Sequence, residues 1–429
     1  MKRLQPPIIV PRQIDLPVAT ATKLTNGVRL YHVSTPGQEV LRISFVFAAG
    51  SAHQTAPFVA STTLNLLSEG TQNLTAQQIA EKIDFYGSYY DVNIDRDYAV
   101  VTFCCLEKFF APTLQLAEEI LLHPTFPEKE IAIYCAKRKQ RLAVERSRIT
   151  TQVRELFSQA LFGKDHPYGV SYDESAYDRL SREEIVAFYR NYYTANHCFV
   201  ACSLSDNPQL LSAVQALASK LPAGGSETPF IFPTPHPTKH LFNPFPNAVQ
   251  SAIRVGRLLF PRTHPDFIGM QVVATALGGY FGSRLIRNLR EERGYTYGVF
   301  AGMVNLDHAG YLAIATEVAS EATQDTVQQI FLEMERLCNE PLPTEELENV
   351  KRVMLSEVLR IIDGPFGIVD VTIENVQNRT DNNYTNRFVE TVNLITAEKV
   401  QDLAIRYLQP SKFTTVVVGD CDIKPITKR

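Results

Sequence analysis

Apolar residues along this chain follow two rhythms. Short runs that alternate or stay continuous read as strands, and stretches with apolar residues every three or four positions read as helices. In the first half, "RISFVFAAGS" reads as a buried strand and "FVASTTLNLLSEGT" (58–71) has helical spacing. In "AQQIAEKIDFYGSYYDV", helical spacing gives way to alternation near Gly87. Then come a strand, "YAVVTFCCL", a helix, "FAPTLQLAEEILLHP", and, after "PTFPEKEI", the helix "EIAIYCAKRKQRLAVERSR".

The second half repeats this order. "QSAIRVGRLLF" is a strand, "PDFIGMQVVATALGG" a helix, and "GSRLIRNLREERGYTYGVFAG" a helix that stops at Gly294 and passes into a strand. "GYLAIATEV" then matches "YAVVTFCCL", and "TQDTVQQIFLEMERLCNEPLPTEELENVKRVMLSEVLR" matches the helix, Pro-rich turn and second helix. Gly87 and Gly294 are 207 residues apart, and Pro127 and Pro343 are 216 apart. Offsets that close mean one duplicated domain.

Between the halves, "LPAGGSETPFIFPTPHPTKHLFNPFP" (221–246) is rich in Pro and Gly and holds no sustained period, so it reads as an extended linker. The expected organisation is a first domain over 1–220, a linker over 221–246 and a second domain over 247–429. Strands that follow one another without crossover helices favour an α+β fold: two tandem domains, each a mostly antiparallel sheet with helices on one face, enclosing a cleft. Clefts between domains are common ligand sites.

Composition narrows the function. The 429 residues are 45% hydrophobic, enough to bury sizeable cores. A formal net charge of -4 leaves no basic excess to neutralise phosphates, so nucleic acid is not expected as a partner. Pro6, Pro7 and Pro11 interrupt the start, and no apolar run reaches spanning length, so no signal peptide or membrane segment is expected and the location reads as cytoplasmic. Seven cysteines without a CxxC pair suit reduced, mostly buried thiols better than a disulfide framework or thiolate zinc site.

The duplicated order, the "LFGKDHPYG" turn (161–169) followed by "LSREEIVAFYRNYYTANHCFVA", and the ending "ITAEKVQDLAIRYLQPSKFTTVVVGD" resemble the pitrilysin-type zinc metallopeptidases over nearly the whole chain. That family's zinc motif is the inverted H-x-x-E-H on a helix, two His four apart with a Glu base between them. With the family's Gly-Thr turn aligned on Gly70 and Thr71, Ser61 and Asn65 fall where the two His belong and Leu64 where the base belongs. A Ser or Asn oxygen is a weak neutral ligand, Leu cannot take a proton, and Glu145 is the nearest carboxylate to the region of the third ligand. No catalytic zinc is expected in this chain; the helix is scaffold.

The resemblance also implies an Arg in the C-terminal half and a Tyr seven residues later that reach the substrate peptide. In "NLREERGYTYG" these match Arg290 and Tyr297. Leu285, Ile286 and Leu289 give that helix an apolar stripe, Gly294 supplies a left-handed stop, and Tyr297 is expected on the outgoing strand. An Arg can donate to a peptide carbonyl and a phenol to an oxyanion. Either can also be structural, the Arg on a helix dipole and the Tyr in packing.

The resemblance therefore implies a subunit without zinc, bearing the Arg/Tyr pair, that joins a zinc-bearing homologue to cleave peptides. Zinc is expected in that partner, and self-association in isolation stays open. The alternative is a purely structural or peptide-binding scaffold of the same fold without a role in proteolysis. A self-sufficient hydrolase is disfavoured by the lack of a G-x-S-x-G or other nucleophile motif. His236 and His240 lie four apart in the Pro-rich linker and read as incidental, Cys198 and Cys202 as buried strand residues, and "GGYFGS" (278–283) as backbone passing close to substrate or linker.

Overall fold

The computed structural model describes residues 18–224 and 232–420. Its first half contains strands β1 (Thr20–Lys23), β2 (Arg29–Ser34), β3 (Val40–Phe47), β4 (Tyr89–Ile94), β5 (Ala99–Leu106) and β6 (Cys198–Leu204). Helices α1 (Val59–Asn65), α2 (Ala76–Tyr86), α3 (Phe110–Leu122), α4 (Glu128–Arg146), α5 (Ile149–Phe162), α6 (Arg182–Tyr192) and α7 (Pro208–Ser219) belong to the same half. The second half has β7 (His240–Pro244), β8 (Gln250–Leu258), β9 (Val299–Asn305), β10 (Gly310–Ala319) and β11 (Thr414–Gly419). Its helices are α8 (Phe267–Ala274), α9 (Thr323–Asn339), α10 (Thr344–Ile361), α11 (Gly364–Gln377), α12 (Tyr384–Leu394) and α13 (Ala397–Tyr407).

The strand orders are β1-β2-β6-β3-β5-β4 and β7-β11-β8-β10-β9. Without β1 they are the same sheet: β2/β6 and β7/β11 are the parallel pairs, and the rest are antiparallel. The marker residues also occupy equivalent places. Gly87 and Gly294 are both left-handed, at φ 56° and 66°, and Pro127 and Pro343 precede α4 and α10 as their N-caps. The first strand of the second copy, β7, lies inside the stretch expected to be linker, because a Pro-rich strand shows no alternation to read.

Each half's own helices cover one face of its sheet and form the two main cores. The opposite faces are covered by exchange. Helix α5 of the first half packs Val153, Phe157, Ala160 and Leu161 against Ala252, Ala313, Val416 and Val418 of the second sheet. In return, α11 packs Val369 and Ile373 against Val33, Val46, Phe199 and Ala201 of the first. The close approach is visible at Gly256, where a Cβ would stand 2.4 Å from the Phe157 ring and 2.5 Å from the Leu312 carbonyl oxygen.

Polar contacts seal the junction. Asp97 accepts from the Asp307 backbone N–H at 2.9 Å, the Tyr168 hydroxyl accepts from the His308 N–H at 3.3 Å, and Arg42 pairs with Asp370 at 2.7 Å; Tyr168 and Arg379 in turn hold Asp97 and Asp307 from their own halves. A cavity of about 290 Å³ remains between the halves, with Asp95, Asp97 and Tyr98 on one wall and Arg262, Gln271 and Glu374 on the other.

Candidate functional site

The helix expected to carry the zinc motif is shorter than its spacing suggests. It ends at Asn65, and Leu66 to Glu69 continue as turns that lead into Gly70 at φ 135°. Ser61 Oγ donates to the Phe58 carbonyl at 3.1 Å, and Asn65 Nδ2 donates to the Ser61 carbonyl at 2.8 Å. Leu64 is wholly buried in the first core with Val59 and Ala60. Glu145 is held by Arg141 one turn away, at 2.7 Å. Zinc needs three or four anionic or imidazole donors converging on one point. This set supplies an alcohol, an amide and a hydrocarbon, so it does not fit the ion. Among the described residues no group of three or more His, Cys, Asp or Glu is arranged to hold a metal.

The second candidate segment begins at α8, which runs into a π-helical stretch, Thr275–Gly279. A second π-helical stretch, Ile286–Glu292, carries Arg290 in its last turn. Both are i→i+5 windings that apolar spacing cannot reveal, and such bulges often occur at functional places. Their cause here is partly visible: Asn288 turns inward, donating to Glu333 Oε1 at 2.7 Å and Gln329 Oε1 at 3.2 Å, while its Oδ1 accepts from Arg293 Nε at 2.9 Å. Arg293 also pairs with Asp325 at 3.2 Å, and Tyr295 donates to the same carboxylate at 3.0 Å. Thr296 Oγ1 then accepts from the Gly298 N–H and from Thr316, and donates to the Gly298 carbonyl.

In "NLREERGYTYG", therefore, Asn288, Arg293, Tyr295 and Thr296 are fixed to the body of the second half. Arg290 and Tyr297 are not. Among the described residues neither makes a hydrogen bond or ion pair; Arg290 rests 4.8 Å from the centre of the Phe281 ring, and Tyr297 is 92% exposed. Tyr297 stands in the bend before β9, where a strand position was expected, because Thr296 closes a tight turn over Gly298 before the ladder begins at Val299. Two donors projecting from a clamped frame can meet something outside the chain. Among the described residues no hydrogen bond or ion pair joins them to Ser61, Leu64 or Asn65.

The remaining candidates are structural. His240 lies on β7, not on a helix, and the His236 N–H bonds to the Phe162 carbonyl. Cys198 and Cys202 are buried on β6, where burial pushes both thiols well above their ordinary value. "GGYFGS" lets Gly278 pass so close to β9 that a Cβ would meet Ala301 at 2.8 Å. The groups clamping Asn288 and Thr296 escaped the sequence reading, because their partners lie 20 to 45 residues away and no local pattern marks them.

The comparisons with known proteins agree with this architecture. Residues 30–168 match the family described as Insulinase (Peptidase family M16), and residues 179–354 match Peptidase M16 inactive domain. A Bacillus subtilis protein named as uncharacterized zinc protease YmxG is 20% identical over 88% of this chain and 93% of its own length. An uncharacterized zinc protease of Rickettsia felis is 22% identical over 79% and 82%. The crystal structure of a peptidase M16 inactive domain from Pseudomonas fluorescens superposes with a TM-score of 0.87 at 22% identity, covering 95% of this chain and 100% of that one. A protease from Helicobacter pylori gives 0.82 at 15%, covering 94% and 100%. The chain belongs to peptidase family M16, the pitrilysin-type metallopeptidases, and it has that family's duplicated fold without its zinc motif.

Proposed function

We propose that this chain is the zinc-free subunit of a heteromeric pitrilysin-like metallopeptidase: it binds an extended peptide and polarises the carbonyl to be cleaved, while a zinc-bearing homologue supplies metal, water and base. The observation that carries this reading is the contrast between the two segments. The donors of α1 are spent on their own helix, whereas Arg290 and Tyr297 stand free on a frame that fixes their neighbours. The zinc proteases among its relatives support peptide chemistry, and the description of residues 179–354 as an M16 inactive domain supports division of labour between chains.

Arg290 would hold the peptide through carbonyl hydrogen bonds, and the Tyr297 hydroxyl would donate to the oxygen that gains charge as the carbonyl becomes tetrahedral. Strand addition at an open sheet edge would keep the peptide extended; β4 and β9 are the edge strands on that side of the two sheets.

The test is to mix the purified chain with a zinc-motif homologue from the same source and follow cleavage of unstructured peptides. Cleavage should need both chains and collapse on Arg290→Ala, and Tyr297→Phe should lower kcat by about 100-fold or more, as losing one oxyanion donor does. A mixture no faster than the homologue alone would leave the scaffold reading in its place.

A further inference from the structure

Arginine that leaves water is expected to meet a carboxylate or a full set of carbonyls, because an uncompensated buried charge is costly. Arg254 is half-buried and, among the described residues, hydrogen-bonds to neither. It sits on β8, on the sheet face that receives α5, with its guanidinium 5.9 Å from the centre of the Phe157 ring and its Nε sealed from solvent without a hydrogen-bond partner. Arg154, exposed on α5, is near enough to repel it, and among the described residues neither makes a hydrogen bond or ion pair. Arg96 completes the group, but its donors go to the Tyr168 carbonyl and, at 3.1 Å, to Ser158 Oγ. Tyr311 interacts electrostatically with both Arg96 and Arg254. Glu317, exposed on the same face, acts on Arg254 less strongly than Arg154 does. Burial first, opposed by Tyr311, and then the Arg154 charge leave the proton affinity of Arg254 below that of an ordinary guanidinium. Even so it stays charged at neutral pH.

The sheet register ties this charge to the candidate site. Arg254 is opposite Ala315, and Ala315 is opposite Phe300, so the three form one row across β8, β10 and β9 on one face. Strands are about 4.8 Å apart, which puts Phe300 roughly 10 Å from Arg254. Phe300 is exposed, and Tyr297 is three residues back along the chain, at most about 10 Å further. The path from Tyr297 to Arg254 is thus at most about 14 Å, the span of up to roughly four extended residues.

We propose that Arg254, with Arg154 beside it, binds a carboxylate of the peptide substrate within about four residues of the carbonyl held at Tyr297. This deepens the proposed function and rests on its premise that the chain binds peptide. An Arg pair matches a carboxylate because the guanidinium fork presents parallel N–H donors to two oxygens. The source is an acidic side chain or a free C-terminus, and the peptides chosen below separate the two.

The experiment measures fluorescence anisotropy of labelled unstructured peptides on the full chain. Neutral amidated peptides are compared with peptides carrying one Glu at successive positions and with the neutral peptide bearing a free C-terminus. One register, or the free terminus, should bind about tenfold more tightly, equivalent to about 1.4 kcal/mol. Arg254→Met should erase that preference and leave the neutral peptide's affinity unchanged. Arg154→Gln, at an exposed position, should weaken the preference in part. Arg254→Met should also raise the melting temperature of the free chain, since it removes a half-buried cation whose Nε has no partner, a gain that a purely structural arginine would not give. Equal binding of acidic and neutral peptides, or a preference that survives Arg254→Met, overturns the carboxylate site while the peptide-binding reading stands. A chain that takes up none of the peptides overturns both.

Discussion

Phe157 belongs to the first half in sequence and to the second half in packing, and truncating it separates these two memberships. The side chain is 2% exposed, lies over Gly256, and meets Tyr311 edge-on with ring centres 6.2 Å apart. Phe→Ala at such a position costs about 3–5 kcal/mol. Against a typical total of about 5–15 kcal/mol, that is a large share. For a unit the size of one half the melting temperature should fall by roughly 6–20 °C, and by less if the whole chain melts together. Hydrogen exchange read by mass spectrometry locates the loss. Because α5 roofs the second sheet, Phe157→Ala should speed exchange in β8, β10 and β11 as well as in α5 itself. If exchange rises only among residues 18–224 and the second sheet keeps its protection, the exchange of helices contributes nothing to the stability of the sheet it covers, and the argument fails.

Other expectations concern charge and metal. Burial, then the charges of His197 and His308, push the His53 imidazole down to about 4, with Asp307 opposing. The unfolded chain restores it to about 6.5 and so binds the proton first on acidification. His53's contribution is therefore full above about pH 6.5 and is lost as the pH falls toward 4, by about 3 kcal/mol at most. Urea midpoints at pH 7 and pH 4.5 should converge in His53→Gln relative to the parent, and an unchanged gap would count against it. Leu64→Glu should destabilise by more than the ~2–5 kcal/mol of a Leu→Ala truncation, because it puts a carboxylate in a closed apolar core; thermal melts will show this, and a neutral effect would mean the position opens to solvent. Elemental analysis of the purified chain should find no stoichiometric zinc, and a chelator should leave its melting temperature unchanged; a shift on chelation would contradict the reading of Ser61, Leu64 and Asn65.

The duplication was legible because punctuation survives divergence: Gly87 and Gly294 both need left-handed backbone, and Pro127 and Pro343 both begin helices. The failure of the zinc motif was equally legible, since it depends on residue identity alone. The partner of an apolar face was not. The spacing of α5 reveals that Val153, Phe157 and Ala160 share a side, but not that the side belongs to another sheet. For the same reason nothing in the local sequence sets Arg254 apart. Its isolation comes from Phe157 and Arg154, about a hundred residues away. Tyr297 was placed one element too far along because the Thr296–Gly298 turn leaves no mark in hydrophobic alternation.

The traded helices also govern what a break in the chain would do. Were the backbone severed between the halves, each fragment would hold a helix with no sheet beneath it and a sheet with no roof. Each fragment alone would tend to clump, yet mixed together they would have a strong reason to reunite. A nicked molecule would therefore go on migrating as one particle, and recombinant halves should be recovered intact only when produced side by side.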